Sequence, residues 1–254
     1  MYIEVEILDN ITLEKFYETM PKYQFEYHVN ISLKNSYVYF EVPKAACSTI
    51  KTTLQEIDAK SFGSHIPEKK TEVIHNKNDS PLLSPKDIGF EKFKELLIDK
   101  NIFKFSFVRN PFDKVLSAYL NKIKNYAGKE KKEITDILGI DIHEEIGFDQ
   151  FIYAIEKTTP YNMNPHWRPQ TNQLFYDLVK YDFIGRLENF DKDFQMVLNK
   201  INPEFEFKSN NYSDKTDAKE KLQQFYTQKT IEIVKKIYKQ DFENFNYPYT
   251  LSKK

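Results

Sequence analysis

Hydrophobic positions along the chain switch repeatedly between two periods. Tyr37-Val38-Tyr39-Phe40-Glu41-Val42 is a β-branched and aromatic run that stops at Pro43, and beyond it Ile50, Leu54 and Ile57 stand at helical spacing. Phe103, Phe105 and Phe107 alternate with Lys104, Ser106 and Val108, a strand pattern that ends at Arg109. Asn110 and Pro111 then supply an N-cap and a first-turn proline, and Phe112, Val115, Leu116, Tyr119, Leu120 and Ile123 make the apolar stripe of a helix. An amphipathic stretch around Phe90, Phe93, Leu96 and Leu97 precedes that second strand, and Phe148 to Ile155 reads as another helix. Tyr181 to Gly185 reads as a short strand before a helix from about Asn189 to Ile201, and one long helix is predicted from Leu222 to Phe245. Strands alternating with helices predict an α/β fold, a three-layer sandwich with a central, mostly parallel sheet. No repeat with a period of about 20 to 50 residues and no Pro-rich or Gly/Ser-rich linker divides the chain. Residues 1–254 therefore read as a single domain, with 1–36 an N-terminal extension of one strand and one helix packed on it.

Composition narrows the chemistry. Among 254 residues, 37 Lys+Arg face 38 Asp+Glu, a net charge of -1 that provides no global field for nucleic acid or an anionic membrane. Any site for a polyanion must be local. The basic stretch of Lys114, Lys122, Lys124, Lys129, Lys131 and Lys132 is interrupted by acids and reads as a solvated helix face. No run approaches the roughly 20 apolar residues of a membrane span, and Met1 to Glu6 lacks the regions of a signal peptide, so a cytoplasmic protein is expected. The single cysteine, Cys47, excludes an internal disulfide framework, and no H-E-x-x-H motif or metal-spaced histidine pair is present, so no metal is expected.

Two segments carry candidate chemistry. Pro43-Lys44-Ala45-Ala46-Cys47-Ser48-Thr49-Ile50-Lys51 lies where a strand hands over to a helix, the position at which open α/β sheets bind ligands. Small residues let backbone N–H groups approach an anion, the helix N-terminus adds partial positive charge, and Lys44, Ser48 and Thr49 offer side-chain donors. That set suits phosphate or sulfate, although both glycines of a Walker A sequence are missing and the lysine precedes the small residues. Cys47 reads as a small packed residue rather than a nucleophile. In the second segment, Arg109 ends a strand and Ser117 lies on the next helix, on the polar face with Lys114, Asn121 and Lys124. A bidentate arginine and a serine there suit a second anionic group, against the plainer alternative of a capped helix with a solvated polar face.

Together these segments resemble the carbohydrate sulfotransferases of the family 2 type, which include Golgi chondroitin and HNK-1 sulfotransferases and soluble bacterial relatives; this chain is expected to be of the soluble bacterial type. Pro43 to Ser48 resembles their 5′-phosphosulfate loop, and Phe107 to Tyr119, with Arg109-Asn110-Pro111 at its centre, resembles their 3′-phosphate segment. Pro165-His166-Trp167-Arg168-Pro169-Gln170, Tyr181 to Glu188 and Val234 to Tyr247 follow the same pattern, so the likeness covers roughly residues 37 to 249. The resemblance implies a P-loop-like sulfotransferase fold. It also implies transfer of a sulfuryl group from 3′-phosphoadenosine 5′-phosphosulfate (PAPS) to a carbohydrate hydroxyl, with 3′-phosphoadenosine 5′-phosphate (PAP) as product. The acceptor class extends to a surface polysaccharide or its precursor. Lys44 would stabilise the leaving phosphate, Ala45, Ala46, Cys47, Ser48 and Thr49 would cradle the 5′-phosphate, and Arg109 with Ser117 would hold the 3′-phosphate. His166 is favoured as general base because it lies inside a matched stretch, ahead of His65, His75 and Glu188; His28 and His143 read as surface histidines. Two rival readings stay open: an ATP-dependent small-molecule kinase, and a non-catalytic glycan- or nucleotide-binding protein.

Overall fold

The computed structural model describes residues 11–61, 74–124, 128–205 and 218–251. In chain order these carry α1 (Leu13–Thr19), α2 (Lys22–His28), β1 (Val29–Ser32), β2 (Tyr37–Phe40), α3 (Cys47–Ser61), α4 (Pro85–Ile88), α5 (Phe90–Ile98) and β3 (Phe103–Val108). Then follow α6 (Pro111–Tyr119), α7 (Lys129–Leu138), α8 (Phe148–Glu156), α9 (Gln170–Gln173), β4 (Phe183–Arg186), α10 (Phe190–Ile201), α11 (Ala218–Phe225), α12 (Gln228–Ile237) and α13 (Lys239–Asn244). The chain divides into two compact units, Met1–Val108 with Gln173–Tyr212, and Arg109–Asn172 with Ser213–Lys254.

The first unit holds the sheet, in the order β1-β2-β3-β4, with β1 antiparallel to β2 and the other pairs parallel. Tyr39 pairs with Phe105 and Phe107 with Gly185, so Tyr37, Tyr39, Phe103, Phe105 and Phe107 share one face while Val38 and Phe40 point to the other. On the first face α3 anchors through Asp58, which accepts from Ser32 Oγ at 2.7 Å and Tyr37 OH at 3.1 Å. Phe190 and Phe194 of α10 meet Phe107 there at 5.5 and 5.9 Å between ring centroids. On the opposite face Phe16, Phe25, Phe93 and Phe175 pack with one another and Phe40 meets Phe93 and Phe175. Helices on both faces of a mostly parallel sheet make the three-layer α/β arrangement that the alternation of periods predicts.

Covering both faces also overrides the apparent polar side of β3, because every residue from Lys104 to Val108 is buried. Lys104 satisfies its ammonium by donating to the carbonyls of Asp99 and Ile102 at 2.8 and 2.9 Å, and Ser106 donates to Phe40 O at 2.7 Å. The N-terminal segment differs from the expected strand and helix: its described part forms two short helices and then β1.

In the second unit every residue of α6 is buried, including Lys114 and Ser117, so the expected solvated polar face of that helix is interior. Phe112 packs on Tyr226 and Phe242, and Trp167 stands edge-on to Phe151 at 5.4 Å. The predicted long C-terminal helix is three helices. Thr227 breaks it by accepting from Thr230 N–H and starting α12 afresh, and Tyr238 leaves helical geometry at φ -103, ψ 23 while its hydroxyl donates to Trp167 O. Apolar periodicity runs through both breaks, which is why it reads as continuous.

Among the described residues, Gly185 is the glycine on which the sheet depends. A Cβ there would stand closer than 3.0 Å to three atoms of the buried Phe107 ring. Gly185→Ala is expected to cost about 1–3 kcal/mol through overpacking, a fall of several degrees in Tm by thermal denaturation.

Candidate active site

The loop between β2 and α3 is built by a buried ion pair. Glu41, just past β2, and Lys51, on the second turn of α3, are each 2% exposed, and their charges meet at 3.0 Å. Burial alone would raise Glu41, but Lys51 together with nearby His28 outweighs it and holds the carboxyl well below the usual carboxylate range. His28, expected at the surface, is buried 3.7 Å from that carboxylate, whereas His143 is exposed as expected.

Between those two anchors the chain turns without glycine. Lys44 and Ala46 both take left-handed backbone, φ 71 and φ 60, with Ala45 between them outside that region, a pattern compatible with an anion-binding nest. Ala45 N–H donates to Val42 O at 3.2 Å and Ile50 N–H to Ala46 O at 3.0 Å. First-turn N–H groups of a helix have no acceptor within it, so α3 opens on this loop with its positive end. Burial and the Glu41 carboxylate push the Cys47 thiol up to about 12, so it is protonated and unreactive near neutrality. Ser48 Oγ lies 3.1 Å from His75 Nε2, and His75 Nδ1 lies 3.3 Å from Tyr27 OH. Glu188 is exposed in a 3-10 turn after β4, and His65 lies outside the described residues.

Arg109, Ser117 and His166 belong to the second unit. Arg109 is 3% exposed and Ser117 2% exposed. Asn110 caps α6 by accepting from Phe112 N–H at 2.9 Å. Gln170 treats Arg109 as a neighbouring strand would: its Oε1 accepts from Arg109 N–H and its Nε2 donates to Arg109 O, both at 2.8 Å. The fully buried Asp241 in turn accepts from the N–H groups of Gln170 and Thr171 at 2.7 Å each. Gln170 and Asp241 lie within stretches that resemble the family's, and no local pattern in the sequence points to the role they take here.

The segment around His166 is held with equal care. Lys114 Nζ donates to His166 O at 3.1 Å and Arg168 O at 2.8 Å, and Arg168 turns its buried guanidinium onto the carbonyls of Pro160, Tyr161 and Met163. Both cations thus serve the local backbone. His166 itself is half-buried, with Nδ1 at 2.8 Å from Asn164 Oδ1. Among the described residues no group of His, Cys, Asp and Glu could hold a metal ion, and no helix is long and apolar enough to cross a membrane.

Comparison with known proteins bears on both segments. The sulfotransferase family model matches residues 27–248. Carbohydrate sulfotransferase 14 of Danio rerio is 28% identical over 184 residues, which is 68% of this chain and 48% of that protein. Carbohydrate sulfotransferase 9 of Homo sapiens is 25% identical over 235 residues (84% and 52%), and carbohydrate sulfotransferase 12 of Xenopus laevis 26% over 270 residues (93% and 64%). The chain thus spans between 48% and 64% of the length of these relatives. No solved structure gives a significant match.

Two outcomes follow from the first loop. Ala46→Gly removes a left-handed penalty of about 1–2 kcal/mol against an added chain-entropy cost of about 0.5–1 kcal/mol, so the variant is expected to melt slightly higher than the wild type. Glu41→Gln strands the buried Lys51 charge and is expected to cost about 3–5 kcal/mol at neutral pH in denaturant titrations. Because folding lowers the Glu41 pKa, the unfolded chain takes up the proton first. The wild-type advantage is therefore complete above the ordinary value of 4.5 and shrinks as the pH falls below it.

Proposed function

The chain belongs to the sulfotransferase family, and we propose that it transfers a sulfuryl group from PAPS to a hydroxyl of a carbohydrate acceptor, releasing PAP. One observation carries this reading: the glycine-free loop in which Lys44 and Ala46 adopt left-handed backbone immediately before the 15-residue α3, an anion cradle with a lysine in it. The names of the relatives support a carbohydrate as acceptor. The family match runs through both compact units, which supports their acting as one sulfotransferase domain over residues 1–254, with 1–36 as its N-terminal extension.

In this reading the backbone of Ala45 to Thr49 and the hydroxyls of Ser48 and Thr49 hold the 5′-phosphate, the Ala45 N–H setting the turn through Val42 O, and His75 orients Ser48 through their 3.1 Å contact. Lys44 neutralises the charge that develops on the bridging oxygen as its bond to sulfur breaks. Arg109 and Ser117 hold the 3′-phosphate, which ATP lacks, with the Arg109 main chain fixed by Gln170. His166 takes the proton of the acceptor hydroxyl as the new sulfur–oxygen bond forms in line with the leaving phosphate. Positioning and charge stabilisation thus do most of the catalysis, as in phosphoryl transfer.

The test is thermal stability of the protein with PAP, with ATP plus magnesium, and with 5′-AMP. At 100 times its dissociation constant PAP is expected to add about 2.7 kcal/mol, a rise of several degrees, with little effect from the other two. A rise with ATP instead points to a kinase, and turnover of PAPS separates an enzyme from a binding protein. Lys44→Ala is expected to lower turnover about 10²- to 10³-fold with PAP binding nearly intact, and Arg109→Ala to weaken PAP binding about 10- to 100-fold. Unimpaired turnover and binding in both variants would remove the donor-site assignment.

A further inference from the structure

We infer that Glu133, acting through the side chain of Asn164, sets the tautomer and orientation of the His166 imidazole. Glu133 lies on α7, and Asn164 Nδ2 donates to its two carboxylate oxygens at 3.1 and 3.0 Å. An ionised carboxylate only accepts hydrogen bonds, so the atom facing it must be the amide nitrogen of Asn164. The amide oxygen is thereby turned toward His166, where it accepts from the backbone N–H at 3.2 Å and lies 2.8 Å from Nδ1. An amide oxygen carries no proton, so the hydrogen of that second contact belongs to Nδ1. In the neutral ring the basic nitrogen is then Nε2.

The rest of the segment leaves the ring little latitude. Asn164 is 7% exposed, and its carbonyl accepts from Trp167 and Arg168 N–H at 3.0 and 2.9 Å. Lys114 secures the carbonyls of His166 and Arg168. The main chain on both sides of the imidazole is thus fixed, and the Asn164 oxygen fixes the remaining rotation about the ring. Asn164 and Glu133 are positioning residues: they deliver a defined nitrogen, as the carboxylate or carbonyl behind a histidine does in hydrolases and metal sites. The value of that nitrogen as a base rests on the proposed function, in which His166 accepts the acceptor's proton.

Nitrogen-15 NMR of the uniformly labelled full-length protein, correlating ring nitrogens with ring protons above the titration range of the imidazole, tests the inference. The His166 signals are identified by their loss in His166→Gln. The wild type is expected to show His166 as the Nδ1–H tautomer. Asn164→Ala is expected to release it toward the Nε2–H form that free side chains favour, and Asn164→Asp combined with Glu133→Gln, whose amide can donate to the new carboxylate while the other oxygen faces the ring, to restore Nδ1–H. Glu133→Gln, which can donate as well as accept, is expected to give a mixture of tautomers. A wild-type His166 in the Nε2–H form overturns the proposal without need of any variant, and so does an Asn164→Ala ring that keeps the wild-type tautomer. PAP binding separates this from the functional reading: the Nδ1–H tautomer in a wild type that binds no PAP supports the positioning and overturns the donor assignment.

Discussion

The pairing of Glu41 with Lys51 is the constraint from which the first candidate segment takes its shape. Two charges less than a tenth exposed cannot be left apart, because an unmatched buried ion costs several kcal/mol. Their 3.0 Å contact therefore ties the end of β2 to the second turn of α3 and leaves the intervening residues a fixed span in which to turn. A loop with glycines could make that turn at little conformational cost. Here Lys44 and Ala46 make it in left-handed backbone, and the ion pair and the burial of Ile50 and Leu54 supply the stability that holds them there. The left-handed turns lie directly before the positive end of α3, so the strain is stored where the helix favours an anion.

Elements whose signal is local were legible. β3 follows from three alternating phenylalanines, the start of α6 from Asn110-Pro111, and α8 and α10 from their apolar spacing, each within a residue or two of the observed bounds. What escaped depended on partners far along the chain. Lys114 looks like the solvated side of an amphipathic helix until His166 and Arg168, 52 and 54 residues away, present their carbonyls to it. Asp241 reads as one more acid in a polar helix, yet it lies fully buried beneath Gln170. The C-terminal helices fooled the periodicity because Thr227 interrupts the backbone without interrupting the apolar stripe. For the candidate site, the sequence shows the residue types of the loop after β2 and Arg109 at their strand-to-helix handovers, but not their supporting contacts, since Ser48 meets a histidine 27 residues on. His65 lies outside the described residues, as do Asn211 and Ser213, which the resemblance places in a polar loop near the donor.

A common device runs through both units. Buried cations serve backbone carbonyls that irregular segments leave without partners: Lys104 on Asp99 and Ile102, Lys114 and Arg168 on the stretch from Pro160 to Arg168. A lysine or arginine offers several donors on a long stem, so one side chain can close a turn that would otherwise need glycine geometry or ordered water. This accounts for how a chain with six glycines in 254 residues builds so many tight connections.

Trp167 is the sole tryptophan of the chain, buried at 2% exposure with its carbonyl held by Tyr238 and its ring edge-on to Phe151. Indole emission excited at its red edge therefore originates from one compact unit alone, one peptide bond from His166. Circular dichroism, by contrast, sums the helices of both units. Followed side by side during denaturation, the two signals count the cooperative transitions of the molecule: superimposed curves mean that the units melt together, and separated curves give each its own stability without a single substitution.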